Sequence, residues 1–121
     1  MHEMSVAISI IDIAIAEAEK AQAQTIDDIE VEVGQLAGVM LESLAFCLEA
    51  AARSTMAETA TFTLIPLPGM GHCLACQHEV VISEFPAQCH DCAGFGVSIT
   101  AGTELKIRSI SVNEDNNRRN K

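Results

Sequence analysis

The chain holds five cysteines, and four of them fall in one short segment. Their pattern is Cys73-x2-Cys76-x12-Cys89-x2-Cys92. Each CxxC pair can close a tight knuckle that puts two thiolates on one ion. Two knuckles together make a tetrahedral four-sulfur site. Soft thiolates in a tetrahedron select Zn(II), with iron in second place. A redox dithiol is the competing reading, but such a pair follows a strand and opens a helix. Neither pair has that setting. The intervening residues 77–88 include Val80, Val81, Ile82 and Phe85. That is too little apolar surface to fold alone. Metal binding, worth roughly 10–16 kcal/mol in small zinc sites, has to order it. Three of the four histidines, His72, His78 and His90, flank the cysteines. Any one of them is a bland surface residue by default. As a group they suggest tuning of a thiolate, or exchange with one, near the imidazole pKa.

A second constellation opens the chain. Met1-His2-Glu3 puts a terminal amine, an amide nitrogen and an imidazole within one chelating reach. Glu3 adds a carboxylate or a further amide nitrogen. Methionine is usually trimmed only before small residues, so His2 is expected to keep Met1 in place. Nitrogen and oxygen donors in a plane suit Ni(II) or Cu(II). A terminus with few fixed ligands also permits release, which suits a carrier. Alone, a histidine at position two reads as part of a frayed end. Its company of a zinc module and an acidic surface raises its weight.

Composition narrows the partners. Net charge is −10, and there are four Phe but no Trp or Tyr. Acidic surfaces repel phosphate backbones and there is no aromatic platform for bases, so no nucleic acid is expected. The apolar run over residues 6–16 is preceded by Glu3 and interrupted by Asp12, unlike a signal peptide. It is also shorter than the ~20 residues a membrane helix needs, so no membrane partner is expected. An odd cysteine count with two tight pairs fits a reduced, cytoplasmic metal protein. Nothing offers a nucleophile triad or a phosphate loop, and four cysteines close the zinc shell, so the chain is not read as an enzyme. Cys47 lies beside Leu44 and Leu48 and reads as core.

The elements that must position these sites follow from periodicity. Met4, Ile8, Ile11, Ile15 and Ala18 predict a helix over residues 4–23. Ile29, Val31 and Val33 alternate with Glu30 and Glu32, a half-buried strand ending at Gly34. Leu41, Leu44, Ala45, Leu48 and Ala52 predict a second helix. Phe62 and Leu64 predict a strand stopped by Pro66 and Pro68. Residues 66–71 read as a linker. Leu105 and Ile107 predict a last strand, whose phase changes at Ser109 in the manner of a bulge. The expected fold is α+β: two helices on a three-stranded mixed sheet, with an inserted zinc-ribbon-like module. Residues 1–67 and 95–112 form the first unit, 68–94 the zinc unit, and 113–121 a disordered tail.

With both metal motifs in view, the chain resembles the HypA/HybF family of hydrogenase-maturation nickel chaperones. The residues that carry the resemblance are Met1-His2-Glu3-Met4-Ser5, Val31-Glu32-Val33-Gly34, the two CxxC pairs, Gly102-Thr103-Glu104-Leu105 and Ser109-Ile110. It implies Ni(II) as cargo at Met1, His2 and Glu3, and structural zinc at the four cysteines. It implies a HypB-type GTPase partner and delivery to the large subunit of [NiFe]-hydrogenase; some relatives serve urease. A homodimer stays open, since an inserted module can be swapped between chains. The alternative function is a zinc-ribbon interaction adaptor without metal transfer.

Overall fold

The computed structural model describes residues 3–114. Helix α1 (Glu3–Lys20) leads into strand β1 (Ala23–Gly34), helix α2 (Leu41–Ala52) and strand β2 (Thr61–Leu67). Strands β3 (Gly69–Cys73), β4 (Glu79–Ile82) and β5 (Val97–Ala101) follow, and β6 (Leu105–Glu114) closes the described chain. Two three-stranded sheets result, ordered β2-β1-β6 and β4-β3-β5. In the first, β1 pairs parallel with β2 and antiparallel with β6, so the sheet is mixed as expected.

Both helices bury one face on that sheet. Ala7, Ile10, Ile11, Ala14 and Ala18 of α1 meet Leu44, Leu48 and Ala52 of α2 over Ile26, Ile29, Val31 and Val33 of β1. With no aromatic residue among these, the core is aliphatic, and each fully buried Ile or Leu contributes about 1.5–3 kcal/mol. Cys47 packs partly buried against this cluster. The described helices include none long and apolar enough to cross a membrane.

The structure differs from the expected elements at several boundaries. Helix α1 stops at Lys20, because Gln22 takes φ +58° and its N–H turns back to the Glu19 carbonyl at 3.0 Å. Strand β1 begins at Ala23, well before Ile29; register shifts at Ala23/Thr25 and Ile26/Asp28 break the alternation that would have revealed it. Strand β2 runs through Pro66, opposite Val33. Proline is tolerated there because β2 is the sheet's edge and loses no ladder bond on its outer side. Residues 69–71, expected within a linker, belong to β3, the central strand of the second sheet. That sheet runs on past residue 94, since β5 pairs with β3 from Met70↔Ala101 to Cys73↔Val97. Asn113 and Glu114 extend β6 opposite Thr25 and Ala23; the rest of the expected tail lies outside the described residues. The phase change in β6 is a register shift, with Glu30 opposite Ser109 and Val31 opposite Ile107.

The two sheets are joined at a glycine crossing. The Gly34 N–H donates to the Glu104 carbonyl at 2.6 Å, Gln35 to Leu67 at 2.8 Å, and Leu36 to Gly102 at 2.7 Å. A Cβ on Gly34 would overlap the Gly102 carbonyl, and one on Gly102 would overlap the Gly69 backbone. Backbones approach this closely only without side chains. Leu36 leaves the crossing and packs into a second small core with Cys73, Val80, Ile82 and Cys89.

Candidate metal centre

Each CxxC pair is shaped by the same turn. At the first, the Cys73 N–H donates to the His78 carbonyl at 2.9 Å and the Gln77 N–H to the Cys73 carbonyl at 2.8 Å. At the second, the Cys89 N–H donates to the Gly94 carbonyl at 2.9 Å and the Ala93 N–H to the Cys89 carbonyl at 2.8 Å. Gln77 and Ala93 hold equivalent places in the two turns, at φ +62° and +58°. Neither is glycine, so each strains against its own Cβ by about 1 kcal/mol. The two turns are held to one geometry in spite of their side chains.

That geometry gathers the sulfurs. Cys73, Cys76, Cys89 and Cys92 place four Sγ atoms within 4.8 Å of one another. Cys73 and Cys92 are 3.8 Å apart across the knuckles, and Cys76 and Cys89 are 3.9 Å apart. A tetrahedron with Zn–S bonds of about 2.3 Å has an edge of about 3.8 Å, so the spacing suits a bound ion. It is far from the ~2.05 Å of a disulfide. All five cysteines are free thiols. The donor set and its spacing therefore fit Zn(II).

Electrostatics point the same way. The Cys76 backbone N–H, 3.4 Å from Cys73 Sγ, lowers the Cys73 thiol to about 7, against the opposing effect of burial. Cys76 is pushed up to about 12, first by its hydrogen bond with the Cys92 side chain and then by burial. One thiolate can form easily in this cluster, but a second beside it is resisted. Only a cation among the sulfurs allows four to coexist.

The expected zinc ligands are thus brought together, and the histidines are placed elsewhere. Among the described residues, the cluster of ligand atoms consists of the four cysteines alone. His78 Nδ1 lies 3.3 Å from Asp91 Oδ2, and His90 Nε2 lies 3.2 Å from the Val81 carbonyl oxygen. His72 sits in β3 opposite Glu79 and Ser98. Leu36 was not read from the sequence as part of this centre. It stands in a loop, and only the tertiary packing assigns it.

Met1 and His2 lie outside the described residues. Glu3 begins α1, and its Oε2 accepts the Met40 backbone N–H at 3.2 Å. Met40 is the N-cap of α2 and has no capping side chain of its own. The Glu3 carboxylate instead takes the N–H of the N-cap residue itself, at the end of α2 where negative charge is favoured. The starts of both helices are tied together there.

A family model described as HypA, a hydrogenase/urease nickel-incorporation metallochaperone, matches residues 1–112. The hydrogenase maturation factor HypA of Chlorobium phaeobacteroides is 45% identical over 112 residues, covering 93% of this chain and 99% of that one. Its counterpart in Chlorobaculum tepidum is 42% identical with the same coverage. The solution structure of the Ni metallochaperone HypA from Helicobacter pylori matches with a TM-score of 0.68 at 24% identity, over 95% of this chain and 100% of that one. That likeness concerns the fold. The chain belongs to the HypA family of nickel-incorporation metallochaperones in hydrogenase maturation.

Proposed function

We propose, from membership of this family, that the chain carries Ni(II) at Met1, His2 and Glu3. It passes the ion, with a HypB-type GTPase, to the large subunit of [NiFe]-hydrogenase in the cytoplasm. It acts as a carrier and not as a catalyst. The observation that carries this reading is a family match that starts at residue 1 and so includes the Met-His-Glu terminus.

The metal cluster supports it by exclusion. Four thiolates fill the shell of a tetrahedral ion and leave no open position for cargo. Zn(II) held by Cys73, Cys76, Cys89 and Cys92 supplies cross-linking, not chemistry on a substrate. Bound there, it would neutralise the crowded sulfurs and tie the knuckle that follows β3 to the one that precedes β5. We assign this zinc unit to residues 69–101, following the β3–β5 pairing. Cargo then needs a separate site with fewer fixed donors. The terminal amine and the His2 imidazole are of the nitrogen type that Ni(II) takes. Glu3 joins them from a position anchored by Met40.

Calorimetric titration of Ni(II) into the untagged chain and its His2→Ala variant tests the reading. Strong loss of binding in the variant is expected. Equal binding rejects the terminal site. Partner binding that survives loss of His2, with no nickel bound by either form, would favour the adaptor reading.

A further inference from the structure

We propose that Cys92 is a site of oxidative modification by small hydroperoxides, and that its oxidised sulfur is captured by Cys73 across the knuckles. This rests on the reading of the cluster as a zinc site.

The four cysteines are not equally exposed. Cys73 and Cys89 are buried, at 1% and 0% exposure, Cys76 is intermediate, and Cys92 is exposed. A neighbour widens the approach. A Cβ on Gly94 would stand 3.2 Å from Cys92 Sγ, so the bare glycine leaves that flank of the sulfur uncovered. Zinc holds its cysteines as thiolates, the form that attacks peroxide. Exposure then decides which of four thiolates reacts first.

The chemistry closes within the cluster. Cys92 sulfur attacks one peroxide oxygen, the O–O bond breaks, and hydroxide (or an alkoxide) leaves. Cys92 is now a sulfenic acid, having lost two electrons to the peroxide. Cys73 Sγ stands 3.8 Å from Cys92 Sγ. Its thiolate attacks the sulfenic sulfur, the S–O bond breaks, hydroxide leaves, and a disulfide forms. Acid of the buffer protonates the two released bases. Two thiolates, Cys76 and Cys89, remain for the ion. With half its shell gone, Zn(II) dissociates, and the small core of Leu36, Val80 and Ile82 loses its cross-link.

The experiment uses the full chain, with zinc content first measured by elemental analysis. Hydrogen peroxide is added with dimedone present, and labelled cysteines are mapped by mass spectrometry. Cys92 is expected to label about tenfold faster than any other member of the cluster. Without dimedone, zinc release should accompany a Cys73–Cys92 cross-link. Cleavage after Glu79 and Glu84 separates the two knuckles and lets the bridge be assigned. Gly94→Ala keeps all four ligands and should retain zinc while slowing both steps several-fold. The proposal is overturned if another cysteine labels first, if the bridge forms within a CxxC pair, or if zinc-loaded Gly94→Ala reacts at the wild-type rate. A chain that binds no zinc overturns the metal reading itself, and this proposal with it.

Discussion

Replacing Gly34 by alanine should be far more damaging than one methyl group suggests. The new Cβ would overlap the Gly102 carbonyl and stand 2.7 Å from the Glu104 nitrogen. Both obstacles are backbone, so no rotamer change can clear them. Overpacking of this kind costs about 1–3 kcal/mol. The bonds from Gly34 to Glu104 and from Leu36 to Gly102 cross the same spot. Stretching them adds about 0.5–1.5 kcal/mol each, for a total of about 2–6 kcal/mol. A domain of this size is stable by about 5–15 kcal/mol, so the variant should unfold at much lower denaturant. Urea unfolding of the zinc-loaded chain measures it. Two glycines serve as controls. Gly96→Ala meets nothing within 4 Å and should lie within about 1 kcal/mol of wild type. Gly38→Ala also meets nothing, but its φ of +75° should cost about 1 kcal/mol. A Gly34→Ala variant within about 0.5 kcal/mol of wild type would refute the steric reading of the crossing.

Zinc affinity should fall as pH falls, because binding requires thiolates and protons compete for them. Cys76, pushed up to about 12, gives up a proton to zinc at any working pH; Cys73 adds another only below about 7, so the slope should steepen there. Chelator competition across a pH series reads this, and a flat profile would contradict the four-sulfur shell. Leu48→Ala, at a fully buried position, should cost about 2–5 kcal/mol in the same urea assay. Phe46→Ala, at a residue 67% exposed, should change stability by less than about 0.5 kcal/mol, and a large loss would show that α2 is packed differently. Removing zinc with a chelator should abolish protection of β3–β5 amides from hydrogen exchange while leaving that of β1 in place; uniform loss would mean that the two cores are one cooperative unit.

Both helices and the last strand could be read because their residues sit at regular spacing. Leu41, Leu44, Leu48 and Ala52 gave α2 its full length. The break at Ser109 also showed, since Ile107 and Ile110 fall out of alternation. The early half of β1 was hidden by two register shifts, and Pro66 disguised the end of β2. The second sheet left the weakest trace. Its strands are short, and its core holds two cysteines that count as buried only because the knuckles gather them. The pattern of the cysteines announced a metal centre, but Leu36 and the Glu3–Met40 contact depend on chain segments that meet only in space.

Strand β6 has to travel far along the sequence to find its place. Ser109 Oγ donates to Glu30 Oε1 at 2.8 Å, 79 positions earlier in the chain. During synthesis, domains assemble from the N-terminus onward at about 5–20 residues per second. All four cysteines and β5 therefore emerge before β6 does. The small sheet can capture its ion while β1 still shows an unpaired edge to solvent. An unpaired edge is a template for pairing with other chains. With Zn(II) as the proposed ion, its supply to the nascent chain would decide how soon Gly102 is positioned to lead β6 onto that edge. Scarce zinc would first appear as aggregation of newly made protein, before any loss in the protein already folded.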